Sequence, residues 1–395
     1  MKTAGTRLNI GILCSFFPPK RGGMATWMEQ IAGLLASAGH QVIVYPFMRD
    51  PNWSAGSGYT VQPLRTTTDD DLLLRSRLRQ LERWGGLLLQ ILFGSERWGG
   101  HDLLVCDASL AMAAAKWVRA WRGRPYVLVV GGRTLSSGRP GHFRGLYRVF
   151  VRRAMATAAA VVVDGEDLKS ALVEEGVREN SIRVLPCGVD TTRFHPGADP
   201  AAFRKWMVER GIDVPDGVPI VLFVGRLSYE NGPGLFLDVI ARLNEPVHGL
   251  LVGDGPMRAE LARRISEEDL PVTFLGDVPD YLLPAVYGSA TVCLFPLRPE
   301  VAGVSIVALE AMACGRAVVT TAVGSMAEPV SDGETGRLVG PDKVDALVNA
   351  VSEILTDRDF RLFMGQKARE AVLAHWSAAA GAVDVCQLIE SLART

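Results

Sequence analysis

Short apolar runs of four to six residues alternate with helical stretches along the chain, and the alternation starts twice. The first series opens with LNIGILCSFFPPKRGGMATWMEQIAGLLASAGHQVIVY, which reads as strand, glycine-containing loop, amphipathic helix, Gly39 and second strand. Further strands are expected at Leu103 to Cys106, at Tyr126 to Val130 and in AVVVDGE. The segment RVLPCGVDTTRFHPGAD, with its Pro, Gly and Asp content, marks the end of a domain and places the boundary near His195. The second series runs PIVLFVGRL, HGLLVGDGP, VTFLG, TVCLFP and RAVVTT, with helices between. Apolar strands this short, each followed by a helix, imply parallel sheets covered on both faces. The expected fold class is α/β, with two Rossmann-like βαβ domains facing across a cleft. Such a cleft is a favoured place for a small-molecule site.

Length supports two domains, since 395 residues exceed one ordinary core and domains average about 150 residues. Charge excludes a nucleic-acid-coating protein, because 42 Lys and Arg stand against 43 Asp and Glu. The six cysteines, at 14, 106, 187, 293, 314 and 386, include no CxxC pair and sit mostly in apolar runs. They read as reduced core residues of a cytoplasmic protein. No apolar run approaches the roughly 20 residues of a membrane span. The run Ile10 to Phe17 is short and followed by Pro18 and Pro19, so it reads as a first strand and not a signal peptide.

The run VSIVALEAMAC, Val304 to Cys314, carries one ionisable residue, Glu310, so the helix it forms is apolar nearly all round and buried. A buried carboxylate needs a partner. Ser305 is expected as N-cap and Gly315 as the C-terminal stop. The free amides of the helix start suit a phosphate, and Glu310 in the first turns suits neutral hydroxyls such as those of a ribose. The other reading has Glu310 reaching a core arginine or the surface. Gly22 and Gly23, just ahead of the first helix, permit close approach of a phosphate or simply make a tight turn. The corners after two strands, Asp107 and then Gly131, Gly132 and Arg133, belong to the same ligand-facing edge. Thr68 with Asp69, Asp70 and Asp71 reads as a helix start and not a metal site. Two basic stretches, one with Arg75, Arg77, Arg79, Arg83 and Trp84, the other with Arg144, Arg148 and Arg152, suit either an anionic membrane surface or water, and the second suits an anionic acceptor as well.

Taken together and in order, FFPPKRGG, PCGVDTTRF, VGRLSYENG, VGDGP, FLGDV, SIVALEAMACGRAVVTTAVGSMAE and DGETGRLV resemble the retaining nucleotide-sugar glycosyltransferases of family four, of GT-B fold. The resemblance covers nearly the full chain. It implies an N-terminal acceptor-side domain over residues 1–195, a nucleotide-sugar-binding domain over 196–374, and a final helix over about 375–395 crossing back onto the first. It also implies donor contacts at Gly22, Gly23, Arg226, Asn231, Gly253, Val278, Ser305, Ile306, Val307 and Glu310, with Arg226 on the diphosphate and Glu310 on the ribose. Asp107, Gly132 and Arg133 fall on the acceptor side. No metal and no cofactor is expected in this family, the cationic clamp neutralising the departing diphosphate.

Three positions depart from the family pattern. Asn231 stands where the family has Lys, Ala302 stands where an acidic pair with Glu310 would begin, and the His after the strand ending at Val130 gives way to Gly131, Gly132 and Arg133. Glu300, two places before Ala302, is the candidate substitute, so Arg226 and Glu300 are the expected catalytic pair. The activity implied is transfer of a sugar, with retention, from a nucleotide diphosphate donor to an envelope-glycan, lipid-linked or small natural-product acceptor. The other reading is a GT-B protein without transfer activity, acting as a nucleotide-binding or partner scaffold. Ala302 offers only a methyl group, which favours a deoxygenated or otherwise modified donor sugar.

Overall fold

The computed structural model describes residues 7–15, 17–18, 22–46, 58–63, 100–108, 110–131 and 143–393. The chain divides into two compact units, Met1–Cys187 with Gly381–Thr395, and Gly188–Ala380. The passage between them therefore lies at Cys187–Gly188, ahead of His195. Residues after it are tied into the second unit by backbone: the Val189 amide donates to the Trp376 carbonyl at 2.8 Å and the Ala378 amide to the Val189 carbonyl at 2.8 Å.

In the first unit the elements are β1 (Asn9–Cys14), α1 (Gly23–Ser37), β2 (Gln41–Pro46), β3 (Thr60–Val61), β4 (Leu103–Asp107), α2 (Leu110–Arg122), β5 (Tyr126–Val130), α3 (Phe143–Thr157), β6 (Ala160–Val163), α4 (Glu166–Glu174) and β7 (Ile182–Val184). The sheet order is β3-β2-β1-β4-β5-β6-β7, and every neighbouring pair is parallel. β4 and β5 are buried along their whole length, which is why, up to Asp107 at the end of β4, their sequences are continuous apolar runs without alternation.

The second unit holds α5 (Pro200–Val208), β8 (Ile220–Val224), α6 (Pro233–Ile240), β9 (His248–Val252), α7 (Arg258–Glu267), β10 (Val272–Gly276), α8 (Leu283–Ser289), β11 (Val292–Phe295), α9 (Ile306–Ala313), β12 (Val318–Thr321), β13 (Arg337–Val339), α10 (Val344–Thr356) and α11 (Arg358–Ala371). Its sheet runs β10-β9-β8-β11-β12-β13, again all parallel. The last helix, α12 (Ala378–Ala393), places Val385 and Ile389 in the core of the first unit with Leu35, Ile12 and Val44. Sequence chemistry sets two helix starts: Asp199 accepts from the Ala201 amide at 2.8 Å ahead of Pro200, and Asp357 accepts from the Phe360 amide at 2.8 Å.

Both sheets reverse direction of winding at one place, between β1 and β4 and between β8 and β11. Loops at the carboxyl ends of strands flanking such a reversal are where open α/β sheets hold ligands. In the second unit the β8 and β9 loops come so close that a Cβ on Gly253, at φ 121°, would lie 2.0 Å from the Gly225 carbonyl oxygen. Among the described residues no helix is long and apolar enough to cross a membrane. The basic stretch Arg75–Arg83 lies outside the described residues, as do Gly132 and Arg133.

The glycine geometry generates a test. Gly253→Ala is expected to cost about 3 kcal/mol of unfolding free energy, because it adds both a clash and a strained φ. Gly33→Ala, inside α1 with no heavy atom near its Cβ position, is expected to stabilise by about 0.5 to 1 kcal/mol. Urea unfolding of the two variants reads both numbers, and equal effects would contradict the packing described.

Candidate functional site

The loops after β8, β9, β10 and β11 and the start of α9 share the carboxyl edge of the second sheet. Arg226 follows β8 after Gly225, is exposed, and forms no ion pair among the described residues. Its loop is braced from within: the Asn231 side-chain amide donates to the Arg226 carbonyl at 2.8 Å, and the Leu227 amide donates to the Asp254 carbonyl at 2.9 Å. One N–H of Asn231 thus braces the loop that carries Arg226, and the other is left for a ligand. At Gly232, φ 71°, a Cβ would sit 1.9 Å from the Pro296 carbonyl oxygen, so the β8 and β11 loops meet backbone to backbone there.

Ser305 occupies the N-cap position of α9, but its hydroxyl makes no capping bond. Its amide turns instead to the Met326 sulfur at 3.3 Å. The first bonds of the helix run from the Ala308 and Leu309 amides to the Ser305 carbonyl, each 3.2 Å, leaving the amides of Ile306 and Val307 ahead of the ladder. These two, and not Ser305, are the amides the helix start can offer to an anion.

Glu310, one turn further, is half-buried. The fully buried Tyr287 of α8 donates its hydroxyl to Glu310 Oε2 at 2.8 Å. Burial pushes the Glu310 carboxyl up to about 7, against the Tyr287 hydrogen bond and the charge of Arg193, which lower it, and with Asp280, which raises it. Arg193 is placed by the GVDTTRF motif. Asp190 accepts from the Thr192 hydroxyl at 2.6 Å and the Thr192 amide at 3.0 Å, turning the chain so that Arg193 donates to the Asp280 carbonyl and stacks over Phe194 at 4.8 Å. Phe194 in turn meets Tyr287 edge to face, with ring centroids 6.0 Å apart. A carboxylate that has one protein hydrogen bond and sits in apolar surroundings has capacity left for hydroxyl donors.

The remaining expected residues divide. Gly253 carries a packing reason for being glycine, and its amide donates to the Gly276 carbonyl at 2.8 Å, joining two of the loops. The Val278 side chain is core, wholly buried with Val252 and Leu275, so only its backbone is at the edge. Glu300 is exposed on the loop after β11, and Ala302 is half-buried beside it. In the first unit, Gly22 has φ 144° and Gly23 begins α1, and no atom of the described residues lies within 4 Å of the Cβ position of either. Asp107 is buried at the end of β4, where its carboxylate accepts from the Ser15 amide at 2.7 Å; it holds the β1 loop in place. Sequence reasoning missed Tyr287 and Arg193. The motif around Arg193 carried a signal, whereas nothing near Tyr287 marked its hydroxyl.

Two family models match the chain: "Glycosyltransferase Family 4" over residues 21–193 and "Glycosyl transferases group 1" over residues 218–357. The chain is 28% identical over 383 residues, 91% of its length and 92% of the other's, to the GDP-mannose-dependent alpha-(1-6)-phosphatidylinositol monomannoside mannosyltransferase of Mycolicibacterium smegmatis. Its structure is similar to sucrose-phosphate synthase from Thermosynechococcus elongatus, with a TM-score of 0.81 and 25% identity over 97% of this chain and 99% of that one. It also shares the fold of Anabaena HepE in complex with UDP and glucose, TM-score 0.78 and 20% identity over 98% of this chain and 100% of the other.

The Glu310 environment sets a pH dependence. The unfolded chain releases this proton near 4.5 and the folded protein near 7, so between those values the folded state binds more protons. Stability therefore falls as pH rises from about 4.5 to about 7, by about 3 kcal/mol, and is level above. Glu310→Gln is expected to remove that slope, being close to the parent at pH 5 and more stable by up to about 3 kcal/mol at pH 8. Chemical unfolding of both proteins at the two pH values measures it, and a difference independent of pH would contradict the assignment.

Proposed function

The chain belongs to the nucleotide-sugar glycosyltransferases of GT-B fold, and from that premise we propose that it transfers a hexose, with retention and without a metal ion, to a lipid-linked or envelope-glycan acceptor. The observation that carries this reading is Glu310, held by Tyr287 one turn into a helix whose first amides are open, on the same sheet edge as Arg226, which has no ion pair among the described residues. Glu310 would take the ribose hydroxyls of the donor and the Ile306 and Val307 amides its phosphate oxygens. Arg226 would stabilise the charge that grows on the diphosphate as the glycosidic bond breaks, and the departing phosphate would receive the acceptor's proton. The open backbone at Gly22 and Gly23 suits a phosphate oxygen as well.

For the donor, the reading favours a GDP- or UDP-linked hexose. The mannosyltransferase relative is described as GDP-mannose-dependent and the HepE structure holds UDP. That relative's acceptor, a phosphatidylinositol monomannoside, supports the lipid-linked class here. A lipid acceptor would bring the enzyme to an anionic membrane surface, toward which the acid-free stretch Thr134–Val163 offers positive charge. The six free cysteines support a reducing, cytoplasmic setting.

Glu300 is proposed as the acceptor for the donor sugar's hydroxyls in place of the carboxylate that Ala302 lacks. Arg226→Ala is expected to lower kcat/KM by about a hundredfold or more, the scale for removing one preorganised charge stabiliser. Glu300→Ala should cost roughly 2 to 4 kcal/mol in transition-state binding, read from kcat/KM with GDP-mannose and UDP-glucose as donors. An unaffected Glu300→Ala enzyme would instead mean an apolar pocket, and a preference for a deoxygenated sugar would then replace the plain hexose.

A further inference from the structure

At the opposite edge of the second sheet, the amino ends of β11 and β12 and the first turn of α11 frame a half-open pocket of about 360 Å³. Arg316, Arg358 and Arg361 line it together with Ser289 and Thr291, and no carboxylate does. Among the described residues none of the three arginines forms an ion pair. By contrast Arg242, Arg258, Arg263, Arg264, Arg298 and Arg337 of the same unit each face an acid. Asp357, next to Arg358 in the chain, has its side chain committed to capping α11.

Two of these guanidinium groups are fixed in place by carbonyls at helix ends. Arg316 donates to the Ala290 carbonyl at 3.2 Å, and Arg361 to the Ile354 and Leu355 carbonyls at 3.0 and 3.3 Å. That arrangement explains their positions and leaves the rest of each fork unused. Arg316 Nε is buried with no acceptor. The amino end of α11, where Arg358 is the first residue, adds its own partial positive charge. Three guanidinium groups converging without a counter-charge repel one another, and a bound anion removes that cost. Planar forks pinned at one corner suit tetrahedral phosphate oxygens, and the volume leaves room for a sugar-sized remainder.

We propose that this pocket is a second anion site, taking a phosphate dianion that is either free or carried on a sugar-sized molecule. It is separate from the donor edge: β11 and β12 are 4 residues long each, so about 13 Å of strand lies between the two ends. Its ligand is not consumed by the transfer reaction.

The test is calorimetric titration with inorganic phosphate and with glucose 6-phosphate at constant ionic strength, on the parent, Arg226→Ala and Arg358→Glu. Arg358 is exposed and unpaired, so its replacement leaves the fold intact, which thermal unfolding verifies; Arg358→Ala serves if the reversal of charge does not. Saturable binding of either probe that survives in Arg226→Ala and weakens at least about tenfold in Arg358→Glu supports the site, and which probe binds tighter tells free phosphate from the sugar-borne form. Binding that is lost in Arg226→Ala and unchanged in Arg358→Glu would place the anion at the donor edge and overturn the proposal. Absence of saturable binding of both probes to the parent would overturn it as well.

Discussion

A carboxylate enclosed by an apolar helix is costly unless something donates to it, and the second unit is arranged around that cost. Tyr287 supplies one hydrogen bond at 2.8 Å, and Arg193 supplies charge without reaching a salt bridge. The result is a group that is only partly satisfied by protein, with its carboxyl held near neutrality. Such a group weakens the free protein and rewards a ligand that brings hydroxyl donors.

The backbone around it is built for close approach. The β8, β9 and β11 loops meet carbonyl to glycine at Gly232 and Gly253, along the edge on which Arg226 and α9 stand. On the proposed function, loops held in this way would stabilise a departing diphosphate without moving at the moment of reaction. The sheet reversal between β8 and β11 brings Arg226 and Glu310, far apart in sequence, to the same edge.

Much of this was legible in the residues. Parallel sheets followed from continuous apolar strands such as Tyr126–Val130, buried on both faces. The isolation of Glu310 in VSIVALEAMAC marks a carboxylate that needs a partner, and Tyr287 is one. What sequence could not give were side-chain commitments made across the fold. Ser305 looks like a cap, yet the bond its amide makes to Met326 sets the entry of α9. Asn231 looks like a substituted phosphate ligand, yet one N–H of its amide is given to the Arg226 carbonyl. Asp107 looks like a corner residue open to substrate, yet it is buried and binds the Ser15 amide. Tyr287 lies in an unremarked stretch because only packing of α8 on α9 gives its hydroxyl a meaning. Apart from Asn231, which bonds a residue 5 places away, each of these depends on a partner at least 21 residues distant, and local pattern carries no information about such partners.

The central claim is that Glu310 is the acceptor for the ribose hydroxyls of the donor. Titration calorimetry of GDP and UDP, each against its 2′-deoxy counterpart, with the parent and with Glu310→Gln, tests it most directly. The account predicts that the parent prefers the ribose form of whichever nucleotide binds. Glu310→Gln should lose most of that preference, with binding of the ribose form weakened by about 1 to 3 kcal/mol. A parent that binds ribose and deoxyribose forms equally, or a variant that keeps the full preference, would contradict it.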